Sequence, residues 1–296
     1  MTNLLMATMH GIVLGGAYGG IAMGLSMVFG VSRVTNFAHG ALLMMSTFMY
    51  YELHTRFGIN PYLGILFVTP IMFLLGYAVQ ALLITPLLKR ERGTVSTPIS
   101  LLLITIGLGF AIENLYMMIY RSTFRTIPTT AGISNFVWQF GGGRFVISWA
   151  RIYAFLACFV IAGVLWFVIN RSELGKRIRA VSQNRDAAAI CGVDVYRTYG
   201  IAFGIAIASV GIAGACLSAF LFVQPQVGII FGIRSFMIVV LGGLGSIPGA
   251  LIGGFIFGIV ETVGALYMSA SAASMLTFLL FIVFLLVKPN GLMGKN

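Results

Sequence analysis

The sequence contains very little charge. Only 8% of its 296 residues are Asp, Glu, Lys or Arg, whereas 59% are hydrophobic, and the mean hydropathy is +1.01. A water-soluble domain carries about 25% charged and about 45–50% apolar residues. This chain therefore has too few polar side chains to cover a water-facing surface, which excludes a cytosolic enzyme.

Acidic residues are especially few. Seven Asp and Glu stand against 18 Lys and Arg, which gives a net charge of +11. In a soluble protein this excess would suggest a nucleic-acid partner, but in a membrane protein the preference of Lys and Arg for cytoplasmic loops explains it. We therefore expect no nucleic-acid partner. Glu52, Glu113 and Glu261 are the acids in or near apolar stretches, and they make a poor relay for an ion-driven carrier.

Cysteines and catalytic motifs are also scarce. Cys158, Cys191 and Cys216 are too few and too dispersed for a disulfide framework or a CxxC metal site. The glycine-rich run near residue 245 lacks the Lys that a phosphate-binding loop requires. No HExxH, paired-carboxylate or Ser/His/Asp pattern stands out. We expect no catalytic residue, no metal and no cofactor.

What the chain does contain is a series of apolar stretches, which predicts an all-α polytopic membrane bundle forming one transmembrane domain over residues 1–296. We expect eight or nine membrane segments. The stretches 37–51 and 229–244 reach at most about 24 Å, short of the ~30 Å hydrocarbon core. Such segments are half-helices or re-entrant segments, which are pointers to transport sites. The predicted segments are residues 6–31, 37–51, 62–88, 99–120, 146–169, 199–223, 229–244, 247–268 and 272–287.

Two basic clusters predict the orientation. Lys89, Arg90 and Arg92 form one, and a second lies within residues 171–197. Because Lys and Arg concentrate in cytoplasmic loops, both clusters should be cytoplasmic. The C-terminus is then cytoplasmic as well, and the N-terminus is external if residues 37–51 cross fully.

The longest basic loop, at about 171–197, has the pattern of a cytoplasmic coupling loop. Its apolar residues alternate with charges in a way that suits short helices lying across the membrane surface and transmitting force from a docked partner. Asp186-Ala187-Ala188 followed by Gly192 has the Glu-Ala-Ala-x-x-x-Gly spacing of the coupling loop in importer-type ABC permeases. The plainer interpretation is a solvated basic loop near anionic lipid.

Two further motifs are candidates for a substrate pathway. Thr35 or Asn36 can cap a short helix, whose positive end and free amides suit an anionic group such as a substrate carboxylate. Ser246 followed by Pro248 is a helix-start signal, and the glycines before it allow an irregular turn. The candidate pathway residues are Asn36, His39, Gly40, Gly242, Gly243, Gly245 and Ser246.

Together these motifs resemble one family, the permease subunits of branched-chain amino-acid ABC importers (the LivH type). They span almost the whole chain in the expected order. The sequence departs from the family pattern at the coupling loop, where Asp186 replaces the usual Glu and no Leu-Pro follows. The matching motifs are Asn36–Gly40, Glu173–Ala180 with Gly192-Val193, Val240–Ala250 and Lys288–Leu292.

The resemblance implies a transport subunit with no catalysis of its own, in the bacterial inner membrane. It would pair with a second, homologous permease, dock two cytoplasmic ATP-binding subunits and receive substrate from a periplasmic binding protein. The residues that it implies for ATPase coupling are Glu173, Gly175, Arg177, Asp186, Ala187, Ala188 and Gly192.

Other functions stay open on the sequence alone. A permease for urea or short amides would have the same motifs, because much of the selectivity would reside in the binding protein. An ion-coupled carrier, a channel and a scaffold are the alternatives from other classes.

Overall fold

The computed structural model describes residues 2–90, 97–140 and 143–294, and most of this chain is α-helical. The first half contains α1 (Thr2–Ser32), α2 (His39–Phe57), α3 (Pro61–Val79), a π-helical turn (Gln80–Ile84), α4 (Thr85–Arg90), α5 (Thr97–Tyr120) and α6 (Thr130–Ile133). An antiparallel hairpin of β1 (Asn135–Phe140) and β2 (Gly143–Ser148) follows. The second half contains α7 (Trp149–Arg171), α8 (Glu173–Gln183), α9 (Arg185–Ile190), α10 (Val195–Ser218), α11 (Val227–Gly242), α12 (Ile247–Tyr267) and α13 (Ala270–Val287).

The predicted polytopic helical bundle is confirmed. Within the described residues, seven helices are long and apolar enough to cross a membrane. The stretch 37–51 was predicted too short: α2 has 19 residues and continues to Phe57, because its last turns carry the polar Glu52, His54 and Arg56 rather than apolar residues. The stretch 229–244 is α11, which has only 16 residues. The predicted segment 146–169 began too early, because residues 146–148 belong to β2 and α7 begins at Trp149.

Helices α1 and α12 pack closely against each other along much of their length. The two helices are antiparallel: Gly15 lies against Gly254, and Gly30, near the end of α1, lies against Gly245 just before α12. A Cβ at Gly254 would lie 2.6 Å from the backbone nitrogen of Gly19. Small residues at helical spacing let membrane helices approach without a hydrophobic driving force between them. The glycines therefore determine how closely these two helices pack.

Helix α2 begins inside the bundle. His39, its first residue, lies 3.0 Å from the carbonyl oxygen of Ile21 in α1. Ile21 precedes Gly30 by nine residues, a distance of about 13 Å at ~1.5 Å per residue. Residues 33–38 thus lead back from the end of α1 into the bundle, and α2 starts well within its thickness.

The chain concentrates its basic residues at one end of the bundle. This basic end comprises the C-terminal ends of α1 and α7, helices α8 and α9, the α11–α12 turn and residues 288–294. Lys89 also lies here, with its ammonium 4.9 Å from the ring centroid of Tyr196 at the start of α10. The two predicted basic clusters are therefore at the same end, although Arg92 lies outside the described residues. The N-terminal end of α1 is at the opposite end, where the Thr262 hydroxyl donates to the carbonyl oxygen of Ala7 at 3.0 Å.

Replacing Gly254 with Leu should destabilise the bundle. The new side chain would force α12 away from α1, and overpacking of this kind costs about 1–3 kcal/mol or more. We expect a lower melting temperature of the detergent-purified protein. Gly107→Leu is the matched control, because nothing in the described part of the chain lies within 4 Å of a Cβ at Gly107. Equal melting temperatures for the two variants would contradict the role of this contact.

Candidate functional site

Helices α8 and α9 form a capped helix pair at the basic end. Ser172 caps α8, since its Oγ accepts a hydrogen bond from the backbone N–H of Gly175 at 2.9 Å. Asn184 caps α9, since its Oδ1 accepts from the N–H groups of Asp186 and Ala187 at 3.1 and 3.0 Å. Such caps satisfy donors that have no partner within the helix. The basic loop predicted from the sequence thus contains two short helices, as expected.

One face of this pair is anchored to the bundle. Gly175, Ile178 and Val181 form the buried face of α8, and α8 packs on α7, α10 and α1. Gly175 contacts the backbone of the last turn of α7 around Ile169, where a Cβ would not fit. Ala188 is the buried residue of α9. A displacement of the pair would therefore move the ends of the spanning helices.

The opposite face of the pair is exposed. Arg177, Asp186 and Ala187 are exposed, and Ile190 at the end of α9 is 88% exposed. The Lys176 ammonium donates a hydrogen bond to Glu173 Oε1 at 2.7 Å and holds the pKa of the exposed Glu173 carboxyl below its ordinary value. This face offers charge and one large apolar side chain to a water-soluble partner.

Gly192 connects the pair to α10. Its φ of +81° is in the left-handed region, which favours glycine. Asp194 then caps α10, because its Oδ1 accepts from the N–H of Arg197 at 3.0 Å. The coupling residues predicted from the sequence therefore lie in one continuous element that leads directly into a spanning helix.

The start of α2 holds two buried polar side chains. Asn36 and His39 are 2% and 1% exposed. Asn36 Oδ1 accepts from the N–H of Ala38 at 3.1 Å, while its Nδ2 is buried without a hydrogen-bond partner among the described residues. His39 Nε2 lies 3.0 Å from the carbonyl oxygen of Ile21, so it must carry the proton, and the buried Nδ1 is an acceptor that lacks a partner there. Unpaired buried groups are uncommon and need an explanation.

Helix α11 packs directly on this helix start. Gly40 contacts Gly228 and Gly232 of α11 so closely that a Cβ would not fit. Phe37 stays 43% exposed, and its ring centroid is 5.6 Å from that of Phe236 in α11. Helices α2 and α11 thus meet each other at the interior start of α2.

The glycine-rich motif forms the turn between α11 and α12. Gly243 and Gly245 have φ values of +102° and +84°, and Ser246 caps α12 by accepting from the N–H of Gly249 at 3.1 Å. Gly242 contacts Gly249, and its carbonyl oxygen accepts from the N–H of Met293 at 3.0 Å. The motif is therefore a tight turn held by the C-terminal segment.

The structure does not bring the two groups of candidate pathway residues together. Gly242, Gly243, Gly245 and Ser246 lie at the basic end, whereas Asn36, His39 and Gly40 lie inside the bundle. Gly245 contacts Gly30, about 13 Å along α1 from the level of His39.

An intramembrane ion pair was missed by the sequence reasoning. Arg234 in α11 donates to Glu261 Oε1 in α12 at 2.6 Å, and both side chains are largely buried. Tyr18 of α1 donates to Glu261 Oε2 at 3.0 Å and accepts from Arg234, and Ser274 of α13 donates to Glu261 Oε1 at 3.3 Å. The cluster links four helices. The sequence did contain a signal for this pair: Arg234 is the single charged residue of the apolar stretch 229–244, and the intramembrane Glu261 needed a polar partner.

The other two carboxylates have different surroundings. Glu52 accepts from the Tyr120 hydroxyl at 2.8 Å and pairs with Arg56 at 2.5 Å. Glu113 is half-buried on α5 and has neither a hydrogen bond nor an ion pair within the described part of the chain. The acids thus form no continuous relay among the described residues.

Comparison with known proteins identifies relatives of nearly the same length. A family model described as the permease component of a branched-chain amino acid transport system matches residues 7–287. The high-affinity branched-chain amino acid transport system permease protein BraD of Pseudomonas aeruginosa is 29% identical, over 99% of this chain and 96% of its own length. LivH of Escherichia coli strain K12, which carries the same description, is 29% identical over 97% of this chain and 94% of its own length.

A sugar permease is also similar to the chain, over a smaller part of its length. The fructose import permease protein FrcC of Rhizobium meliloti is 26% identical over 74% of this chain and 60% of its own length. No solved structure shows a significant match.

Replacing Glu261 with Gln should destabilise the bundle, because it leaves the Arg234 guanidinium without its carboxylate. Removing one partner of a buried ion pair costs about 3 kcal/mol. We expect the melting temperature in detergent to fall by several degrees. Glu113→Gln is the matched control and should change it little.

A double variant tests whether the loss of stability comes from the unpaired Arg234 charge. Arg234→Met with Glu261→Met leaves no uncompensated charge, so it should recover much of the lost stability. A melting temperature for Glu261→Gln equal to that of Glu113→Gln would refute the stabilising role of the pair.

Proposed function

Because the chain belongs to the permease family of branched-chain amino acid transport systems, we propose that it is the membrane-spanning permease subunit of an ATP-binding cassette importer. Its cargo would be branched-chain or other apolar amino acids. The match of the family model to residues 7–287 and the near full-length relatives support this proposal, as does the multi-pass helical bundle. We further propose that residues 1–296 form one permease domain in the bacterial inner membrane.

The observation that carries the proposal is the α8–α9 pair. It presents an exposed face with Ile190 at its tip and is anchored by Gly175, Ile178 and Val181. The sequence has no phosphate-binding loop, so the energy would come from partner chains. We propose that two ATP-binding subunits dock on this face, that a homologous permease completes the pathway and that a periplasmic binding protein delivers the substrate.

A movement of the α8–α9 pair would be transmitted to the bundle by α10. This helix follows Gly192 and packs on α1, α2, α3 and α7. At Gly24 of α1, a Cβ would meet the carbonyl oxygen of Ala206 in α10 at 2.8 Å and His39 Cε1 at 3.3 Å. Closure of the ATP-binding subunits would thus shift α10 against the start of α2, a rigid-body change of the kind that switching between two states requires.

The start of α2 is our candidate for substrate contact. Within residues 2–90, 97–140 and 143–294, the donor Asn36 Nδ2 and the acceptor His39 Nδ1 have no partner, and an amino acid can supply one to each. Both side chains are closed off in this structure, so the proposed movement would have to expose them. Gly40 would permit the close contact between α2 and α11. The pathway would end at the basic end of the bundle, beside the α11–α12 turn with Gly242, Gly243, Gly245 and Ser246.

Transport by the reconstituted complex tests this function. We expect leucine uptake that stops when ATP is depleted and continues in the presence of an uncoupler. An excess of another apolar amino acid should compete with leucine, and urea should not. Uptake that survives ATP depletion but stops with the uncoupler would support an ion-coupled carrier instead. Competition by urea alone would support a urea or amide permease.

Substitutions at Gly192 test the coupling element. Its left-handed backbone costs an ordinary L-residue about 1–2 kcal/mol, and β-branched residues tolerate it worst, whereas Asn tolerates it best. Since no atom of the described residues lies within 4 Å of a Cβ at this position, the effect is on the backbone. Gly192→Val should strongly reduce substrate-stimulated ATP hydrolysis while membrane insertion persists, and Gly192→Asn should retain most of it. Full stimulation of the Val variant would show that this turn does not couple.

A further inference from the structure

A cleft of about 730 Å³ lies between α7 and α12 at the basic end. The C-terminal end of α1 forms its back wall, and α8 forms its floor. The α11–α12 turn, with Gly245 and Ser246, also lines the cleft. Phe155 and Phe159 of α7 pack on Phe255 of α12, with ring centroids 6.1 Å apart in each pair. These contacts close the space between α7 and α12 on the side of the cleft that is farther from the basic end of the bundle. The cleft is therefore confined to the basic end of the bundle.

One part of the cleft is basic. Arg33, just after α1, and Arg179 of α8 line it together with the polar Ser182 and Gln183, and no acidic residue lines it within the described chain. Arg33 is exposed and has a left-handed φ of +53°. Arg179 donates one hydrogen bond to the carbonyl oxygen of Ile169, which holds its guanidinium at the wall. Two cations without a lining acid favour an anionic ligand.

The other part of the cleft is apolar. Ala162 and Trp166 of α7 face Leu251 of α12, and Met27 of α1 lies behind them. From Ile247 to Phe255, α12 rises about 12 Å at ~1.5 Å per residue, close to half of the ~30 Å hydrocarbon core. Trp166 is 55% exposed at the rim, a position that Trp favours at the membrane interface. The cleft thus has the polarity and the depth of one lipid leaflet.

We propose that this cleft binds one anionic phospholipid of the leaflet at the basic end. Its phosphate would lie at Arg33 and Arg179, and one acyl chain would follow Trp166 and Leu251 towards Phe255. A zwitterionic amino acid fits less well, because its ammonium would face two arginines without a carboxylate. A soluble protein partner would leave the apolar part of the cleft unfilled. The bound lipid would connect α8, the anchored half of the coupling pair, to α7 and α12. It would also lie against the α11–α12 turn, which we assign to the basic end of the pathway.

Native mass spectrometry of the detergent-purified full chain, with the subunits that co-purify, tests the proposal. The protein is titrated with phosphatidylglycerol, with phosphatidylcholine or with inorganic phosphate. We expect one tightly retained phosphatidylglycerol per chain and weaker retention of phosphatidylcholine. Inorganic phosphate should not displace the lipid, since it makes no contact with the apolar part.

Two pairs of variants separate the two parts of the cleft. Arg33→Gln with Arg179→Gln should weaken phosphatidylglycerol retention about thirtyfold, given the usual contribution of each basic residue near anionic lipid, and should change phosphatidylcholine little. Arg90→Gln is the matched control, because Arg90 is exposed outside the cleft. Ala162→Trp keeps both arginines but fills the apolar part, so it should reduce retention of both lipids, whereas Val164→Trp, on the exposed side of α7, should not.

Three outcomes would overturn the proposal. The first is phosphatidylglycerol retention by the double Arg variant equal to that of the unmodified protein. The second is equal retention of the two lipids by the unmodified protein. The third is displacement of phosphatidylglycerol by inorganic phosphate alone, which would assign a phosphate site rather than a lipid site. None of these outcomes bears on whether the chain transports amino acids, so the two proposals are tested separately.

Discussion

The hydrocarbon core of the membrane offers no water to polar groups, and this constraint determines where the chain places them. A carboxylate costs about 2.5–3.5 kcal/mol at the centre of a spanning helix. Glu261, in the second half of α12, is bound by Arg234, Tyr18 and Ser274 from three other helices. Backbone groups are satisfied within helices, and the glycines of α1 and α12 let these helices pack without apolar side chains between them. Most of the remaining charge lies outside the core.

The start of α2 is one of several places where a buried polar atom has no hydrogen-bond partner among the described residues; Ser26, Gln80 and Thr85 are others. Asn36 and His39 each keep one polar atom in the interior that has no partner in the described part of the chain, at the place where α1, α10 and α11 converge on α2. A stable bundle gains nothing from such atoms, whereas a transporter needs groups that a passing substrate can bind. The α8–α9 pair is connected to this place through Gly192 and α10. The structure thus offers one continuous route from a docking face to the candidate pathway.

Local patterns in the sequence predicted much of this arrangement. Apolar stretches identified the bundle, the short stretch 229–244 identified α11, and alternating charges identified α8 and α9. The length of α2 was underestimated, because its last turns are polar and extend the helix to Phe57. Pairings that join distant parts of the chain were not predictable in this way. Arg234 and Glu261 lie on different helices, so nothing local indicates that they meet. The β1–β2 hairpin was missed because residues 146–148 extend an apolar run into a strand, and the separation of Gly245 from His39 depends on where α2 re-enters the bundle.

The central claim is that the face carrying Ile190 docks an ATP-binding subunit, and cross-linking tests it most directly. A photoreactive phenylalanine analogue can replace Ile190 in the complete transporter. The same replacement at Ile133 is the control, because Ile133 is also exposed but precedes the N-terminal end of α7, whereas the pair follows its C-terminal end. We predict a cross-link from position 190 to the ATP-binding subunit, with a yield that changes when ATP binds, and none from position 133. Cross-links from position 190 to lipid alone would contradict the account.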